Sequence, residues 1–282
     1  MKFFKNMTNK RVQAFGCVVG VFVLTACGQP PNSLATQQLT ITGSSTVAPL
    51  MAELVARYEQ THPNSRIDVQ TGGSTRGITD ARAGIAQIGM VSRALKSEES
   101  DLIAHPIALD GISMIVHQDN PIQQLTDTQI KHIYTGVISN WQQVGGKDQP
   151  IQVVNKAEGR STLELFTQYF QLKNSDIKAS VVIGDNQQGI KTVAANPTAI
   201  GYVSIGAAEF EASQGTPIRL LPINGIPASV EQVRKGNFPL SRPLNLVTRG
   251  QPDADVQALL DFAQSSQNQD LVLAQFFVPI AE

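Results

Sequence analysis

Three short runs of glycine and hydroxyl residues stand just ahead of helix-like segments in this chain. They are Gly43-Ser44-Ser45-Thr46, Gly72-Gly73-Ser74-Thr75 and Gly159-Arg160-Ser161-Thr162. A helix N-terminus leaves several backbone N–H groups unpaired and carries about half a positive charge. Hydroxyls add short neutral donors, and glycine lets a ligand approach the backbone closely. One such run is an ordinary helix cap, but three together predict a pocket that binds a small anion.

Strand-like and helix-like segments alternate from residue 39 onward. Short apolar runs predict strands at 39–42, 66–70, 86–91, 112–116, 151–155, 181–183, 200–203 and 244–248. Helical spacing of apolar residues predicts helices near 47–58, 75–83, 130–134, 163–170 and 253–277. This alternation indicates an α/β protein with mainly parallel sheets. Ligands of such sheets bind outside the carboxyl ends of strands, where all three runs lie.

We expect two lobes, because turn-forming residues interrupt the pattern at two places. These are Asp119-Asn120-Pro121 and Gly236-Asn237-Phe238-Pro239, where the chain would cross between lobes. The first lobe would comprise residues 39–117 and 244–282, and the second lobe residues 118–243.

The N-terminus has the pattern of an export signal. Four basic residues precede an apolar stretch at 14–24, which is too short to span a bilayer comfortably. The run Leu24-Thr25-Ala26-Cys27 then resembles a bacterial lipobox. We expect a lipoprotein signal peptide over residues 1–26, lipid modification at Cys27 and a polar tether over 27–38. The chain would be anchored at the cell membrane, on its periplasmic or extracellular side. The alternative is a plain signal peptide with a chance cysteine.

The composition argues against several classes of function. The chain has 22 basic and 23 acidic residues, and loss of the four basic residues of the signal leaves a net charge of −5. A chain with this negative charge is a poor partner for nucleic acid. The same charge does not attract anions from a distance, so hydrogen-bond donors at the site must capture any anionic ligand. Its two cysteines, one of them inside the signal, allow neither a disulfide in the mature chain nor a cysteine-rich metal site. Four histidines lack any nucleophile or zinc signature. We therefore expect no catalytic residue, no metal and no cofactor.

An ordered set of motifs covers the chain from residue 39 to the C-terminus. They lie at residues 43–50, 72–78, 88–93, 140–146, 158–162, 199–203 and 239–244. Together they resemble the phosphate-binding proteins of ABC transporters. The resemblance implies the type II periplasmic-binding-protein fold, with two α/β lobes joined by two crossover strands and closing on the ligand like a hinge. It also implies delivery of inorganic phosphate to the permease and ATPase subunits of an importer.

The resemblance also implies which residues bind the ligand. The first loop would give the Thr46 hydroxyl and the Val47 N–H, the second loop Ser74, and the third loop the run 160–162. The predicted phosphate-binding residues are Ser45, Thr46, Val47, Ser74, Thr75, Ser92, Arg160, Ser161 and Thr162, with Arg93 and Lys156 in second rank. Arg242 is interpreted as fixing a crossover strand.

Two positions depart from the family pattern. Ser92 stands where the best-studied members have an Asp that accepts a hydrogen bond from protonated phosphate and repels fully ionised oxyanions. Lys156 replaces an Arg. Without that carboxylate, we hypothesise weaker discrimination against sulfate or arsenate than in members that carry the Asp.

The sequence leaves more than one function open. The chain is expected to be a monomer that contacts the membrane only through its lipid anchor. A receptor for another oxyanion, or a phosphate sensor without a transport role, would use the same motifs.

Overall fold

The computed structural model describes residues 37–280, so the expected signal peptide, Cys27 and nearly all of the tether lie outside the described residues. The strands in this part are β1 (Gln37–Gly43), β2 (Ser65–Thr71), β3 (Ile88–Val91), β4 (Leu102–His117), β5 (Gln152–Lys156), β6 (Val181–Ile183), β7 (Ala199–Ser204), β8 (Ile218–Leu220), β9 (Ser241–Arg249) and β10 (Val278–Pro279).

The α-helices in the same part alternate with these strands. They are α1 (Ala48–Thr61), α2 (Ser74–Ala83), α3 (Asp127–Tyr134), α4 (Ser161–Tyr169), α5 (Asn186–Ala194), α6 (Ile205–Ser213), α7 (Val230–Arg234), α8 (Ala254–Gln264) and α9 (Gln269–Ala274). Short 3-10 turns lie at Ser97–Glu99, Trp141–Val144, Asn174–Asp176 and Ser266–Asn268. None of the helices within residues 37–280 has the length and apolar character needed to cross a bilayer.

The strands form one curled sheet in the order β2-β1-β3-β9-β4-β7-β5-β6. The outer pairs are parallel: β1 with β2 and β3, and β5 with β6 and β7. The central pairs, β3 with β9, β9 with β4 and β4 with β7, are antiparallel. The predicted α/β class is therefore confirmed, and the antiparallel centre arises because β4 and β9 run in opposite directions between the two ends of the sheet.

Strand β4 belongs to both ends of the sheet. Residues 102–111 of β4 pair with β9, whereas residues 112–116 pair with β7. The change of partner occurs at Gly111, where a Cβ atom would lie 2.6 Å from Ile205 Cδ1. The chain therefore passes along β4 from one end of the sheet to the other, and it returns along β9.

Each end of the sheet has its own apolar core. On the β1 side, helix α1 buries a face at helical spacing that includes Leu50, Leu54 and Tyr58. On the β7 side, Phe166 of α4 stacks on Tyr202 with ring centroids 4.0 Å apart. These cores hold the helices rigidly, so the loops that precede the helices are fixed in place. The lobe boundaries at 117/118 and 243/244 stay a prediction.

Candidate functional site

Four loops meet at one small pocket, and each leads into a helix. They precede α1, α2, α4 and α5, and the pocket encloses about 220 Å³ between atoms, part of it open to solvent. The lining residues are Ser44, Ser45, Thr46, Gly73, Ser74, Ser92, Lys156, Arg160, Ser161, Thr162, Gly184 and Asn186. The structure thus brings together eight of the residues singled out from the sequence: Ser45, Thr46, Ser74, Ser92, Lys156, Arg160, Ser161 and Thr162.

The first loop is organised around the hydroxyl of Ser44. Its Oγ accepts the backbone N–H groups of Thr46 and Val47, at 3.2 and 3.4 Å. It donates to Ser92 Oγ at 3.0 Å. Ser44 thereby holds the turn that precedes α1 and ties the loop after β1 to the end of β3.

Arg242 of β9 joins hydroxyls from both ends of the sheet. Its Nη1 donates to Ser92 Oγ at 3.3 Å and to Thr162 Oγ1 at 3.1 Å, and its Nη2 donates to Thr46 Oγ1 at 3.3 Å. Asp110 of β4 holds the guanidinium at 2.9 Å, and the side chains of both partners are 1% exposed. Arg242 therefore does more than fix the crossover strand, because it also positions the hydroxyls of the pocket.

Lys156 and Asn186 line the pocket on the side of α5. Lys156 Nζ donates to Asn186 Oδ1 at 3.1 Å, and Asn186 Nδ2 donates to Thr46 Oγ1, also at 3.1 Å. Burial lowers the pKa of Lys156 to about 7; Asp185 opposes this change, while Arg242 and Arg160 add to it.

Asn186 was not singled out from the sequence. Its loop lacks the Gly/Ser/Thr signature of the other three loops. Instead, Asp185 caps α5 by accepting the N–H of Gln188 at 2.8 Å. The available signal was an Asp cap after a strand, which many helices share.

The N-terminus of α4 presents two buried polar atoms with no partner. Ser161 Oγ and Arg160 Nε are both buried, and neither has a hydrogen-bond partner among residues 37–280. A buried donor or acceptor left unpaired costs about 1–3 kcal/mol. Three other buried atoms of the described residues, Thr42 Oγ1, Asp127 Oδ1 and Arg219 Nε, also lack a partner. What points to a polar ligand is that two such atoms belong to residues that line one donor-rich pocket.

Three of the residues predicted to bind the ligand do not line the pocket. Thr75 is exposed, and its Oγ1 donates to Glu164 Oε1 at 3.4 Å. Arg93 is buried in ion pairs with Glu99 at 2.7 Å and with Glu164 at 2.9 Å, and it does not line the pocket. The side chain of Val47 lies in the core, and its N–H faces Ser44.

The chemical character of the pocket follows from its lining. Hydroxyls, an amide, an ammonium, a guanidinium and helix N-termini surround the space, and no lining residue in the described part of the chain carries a carboxylate. Such a set of donors is suited to a small anion with several acceptor oxygens.

Known proteins resemble this chain over most of its length. "Phosphate-binding protein PstS" of Bacillus subtilis is 28% identical, with 97% of this chain and 95% of that protein covered. A substrate-binding protein from Clostridium perfringens, assigned to phosphate ABC transport and solved with bound phosphate, is 31% identical. It has a TM-score of 0.80 and covers 87% of this chain and 100% of its own. An ABC-type phosphate transport receptor from Vibrio cholerae is 30% identical with a TM-score of 0.72, and 86% of this chain and 100% of that chain are covered.

A family model agrees with these likenesses and with the geometry of the site. The model for the PBP superfamily domain matches residues 29–267. This match covers most of the chain, which therefore belongs to the PBP superfamily, whose periplasmic-binding-protein fold it shares.

Proposed function

We propose that this protein is the extracytoplasmic solute-binding component of an ABC importer and that it captures inorganic phosphate in the pocket described above. The observation that carries the proposal is the pair of buried, unpartnered atoms Ser161 Oγ and Arg160 Nε in a pocket otherwise lined by donors. An anion with several oxygens would satisfy both atoms at once.

The donors are numerous enough for tight binding. Burying a dianion without partners would cost on the order of tens of kcal/mol, so each oxygen needs hydrogen bonds. Charge-assisted bonds contribute about 1.5–3 kcal/mol each. Four or five of them therefore support micromolar or tighter affinity after the costs of association. The hydroxyls of Thr46, Ser74, Ser161 and Thr162, the cations Lys156 and Arg160, and the helix N-termini supply this number.

The arrangement of the donors supports closure around the ligand. Thr46 and Ser74 lie on the β1 side of the sheet, whereas Arg160 and Ser161 lie on the β5 side. We assign residues 39–117 and 244–282 to one lobe and 118–243 to the other. A ligand held from both sides stabilises the closed form, which a permease can then distinguish from the open form.

The names of the relatives support phosphate as the ligand and transport as the role. They are named as phosphate-binding proteins and as components of phosphate ABC transport. They also support the prediction of a binding protein rather than an enzyme. The partners would be the permease and ATPase subunits of the importer, and the protein would act as a monomer on the outer side of the cell membrane.

The lipobox at residues 24–27 supports a lipid anchor at Cys27. Mass spectrometry of the protein isolated from its own membrane would show a diacylglyceryl-modified and acylated Cys27. The Cys27→Ala variant would leave the membrane fraction. Unmodified Cys27 in the membrane fraction would contradict the anchor.

Calorimetric titration of the protein with inorganic phosphate tests the ligand. We expect one site per chain with micromolar or lower Kd. Arg160→Ala should weaken binding by about tenfold or more, because it removes a charge-assisted donor. The matched control is Arg234→Ala, which removes an exposed ion pair with Glu231 far along the chain and should leave the Kd unchanged. No heat with phosphate would contradict the proposal.

A further inference from the structure

The direction of the Ser44 hydroxyl is fixed by its neighbours. A hydroxyl has one proton and two acceptor lone pairs. Ser44 Oγ accepts two backbone N–H groups, those of Thr46 and Val47, and an N–H can only donate. Its own proton must therefore go to Ser92 Oγ, 3.0 Å away.

The amide of Asn186 is fixed in the same way. Its Oδ1 lies 3.1 Å from Lys156 Nζ and 3.4 Å from the backbone N–H of Ser204, and both of these groups donate. The amide oxygen must face them, so Nδ2 faces Thr46 Oγ1 as a donor.

Thr46 and Ser92 are consequently restricted to one role. Thr46 Oγ1 accepts from Asn186 Nδ2 and from Arg242 Nη2. Ser92 Oγ accepts from Ser44 and from Arg242 Nη1. Each oxygen faces two donors, so each hydroxyl is oriented to donate its own proton. At Ser92 one of these donors is shared, because Arg242 Nη1 divides two protons among Ser92 Oγ, the Ser92 carbonyl oxygen and Thr162 Oγ1. This differs from the general expectation that a hydroxyl accepts as readily as it donates.

Ser161 is the contrasting hydroxyl. It is 2% exposed, it lines the pocket, and its Oγ has no hydrogen-bond partner among residues 37–280. Both its lone pairs and its proton are open to a ligand. Ser74 and Thr162 each already accept one donor, from the Ser92 N–H and from Arg242 respectively.

We propose that Ser161 is the residue whose Oγ accepts the hydrogen bond of the P–OH group of bound phosphate, and that the pocket also holds fully deprotonated tetrahedral dianions such as sulfate. This inference rests on the proposed phosphate-binding function. Bound phosphate carries at least one P–OH near neutral pH and needs an acceptor, whereas sulfate has acceptor oxygens only. The Ser161 hydroxyl serves phosphate by accepting and sulfate by donating. The lining residues described above carry no carboxylate, so no lining side chain repels sulfate.

Titration of the wild-type protein with phosphate and with sulfate at one pH is the first test. Sulfate should bind with a Kd within about a hundredfold of that for phosphate, because it loses one hydrogen bond at most. Micromolar phosphate binding with no sulfate binding at millimolar concentration would overturn this inference and leave the proposed function standing. Failure to bind either anion would overturn both.

Two variants test the assignment of Ser161. Ser161→Ala should weaken phosphate binding by about 10- to 100-fold and sulfate binding by a smaller factor, since only phosphate needs the acceptor. Thr46→Val, which removes a hydroxyl that can only donate, should weaken both anions by similar factors. Equal losses for both anions in Ser161→Ala would overturn the assignment. Thermal melting without ligand serves as the folding check, and Ser161→Ala should melt no lower than wild type because its Oγ has no partner to lose.

Discussion

At the scale of single residues, the chemistry of the pocket depends on two buried cations with different partners. Arg242 is compensated by Asp110, whereas Lys156 Nζ has, among residues 37–280, an amide oxygen and no carboxylate at hydrogen-bond distance. Burying a cation without a counter-ion lowers its pKa, as Lys156 shows. These two residues are therefore expected to respond differently to pH and to substitution.

Lys156 predicts a pH dependence of the stability of the ligand-free protein. Its pKa falls from 10.5 to about 7 on folding, so between these values the unfolded chain binds more protons than the folded one. The free energy of unfolding should therefore rise as the pH increases above about 7, by up to several kcal/mol. Asp185, Arg242 and Arg160 are the charged groups that act on Lys156.

Denaturant unfolding of wild type and Lys156→Met from pH 6 to pH 10 measures this effect. In Lys156→Met the free energy of unfolding should not rise with pH in this way, and at pH 6 the variant should be more stable than wild type. An identical slope in both proteins would contradict the prediction.

The Asp110–Arg242 pair predicts a large loss of stability when it is broken. Asp110→Ala leaves a buried guanidinium without its counter-ion and should cost about 3–5 kcal/mol in the free energy of unfolding. The exposed pair of Arg57 and Asp270, at 2.6 Å, is the control, and Asp270→Ala should cost about 1 kcal/mol or less. Urea unfolding measures both losses. Comparable losses in the two variants would contradict the prediction that the buried pair contributes more to stability than the exposed pair.

At the scale of elements, α2 and α4 approach each other across the pocket. The N–H of Thr75 at the start of α2 donates to the carbonyl of Gly159 at 3.2 Å. Glu164 of α4 accepts from Arg93 Nε and pairs with Lys96 Nζ, both at 2.9 Å. On the proposed lobe assignment these contacts join different lobes, so we expect them to form only in the closed state.

Glu164→Gln should therefore weaken phosphate binding although Glu164 lies outside the pocket. We expect a loss of about three- to tenfold, mainly as faster dissociation, because a partly exposed ion pair contributes about 1 kcal/mol. Stopped-flow or surface-plasmon measurements give the dissociation rate. Glu231→Gln breaks exposed pairs within one lobe and is the matched control. Equal rates in wild type and Glu164→Gln would show that this ion pair does not contribute to closure.

Gly73 at the start of α2 is a second point of close approach. Its φ is +96°, and a Cβ atom would lie 2.6 Å from the carbonyl oxygen of Gly159. Gly84 at the end of α2 also has a positive φ, +70°, but open space around it. Gly84→Ala should lose about 1 kcal/mol of stability. Gly73→Ala should lose more, because its Cβ would also meet the Gly159 carbonyl. Only Gly73→Ala should also weaken phosphate binding in calorimetry, and similar affinities in the two variants would contradict this.

Several elements were predictable from the sequence, and the exceptions have physical reasons. Helices α1, α2 and α4 follow their apolar spacing and their hydroxyl runs. The first part of β4 was not predicted, because His105 and Pro106 interrupt its pattern; the pairing with β9 shifts register at this point. Arg242 and Asn186 could not be placed in the pocket from sequence, since their role depends on which strands and loops are neighbours in the sheet.

In the whole molecule, one sheet supplies residues from both of its ends to one pocket. Strands β4 and β9 connect the ends, and Asp110 and Arg242 of these strands form a buried pair beneath the site. Residues from β9, from the loop before α1 and from α4 thus meet at a single guanidinium. Opening would bend the molecule at these two strands and expose the pocket, and closing would bury it again.

The most direct test of this account is a crystal structure of the protein grown with inorganic phosphate. We expect one tetrahedral anion with oxygens within about 3.2 Å of Thr46 Oγ1, Ser74 Oγ and Ser161 Oγ. An anion bound elsewhere, or contacted from only one end of the sheet, would contradict the account.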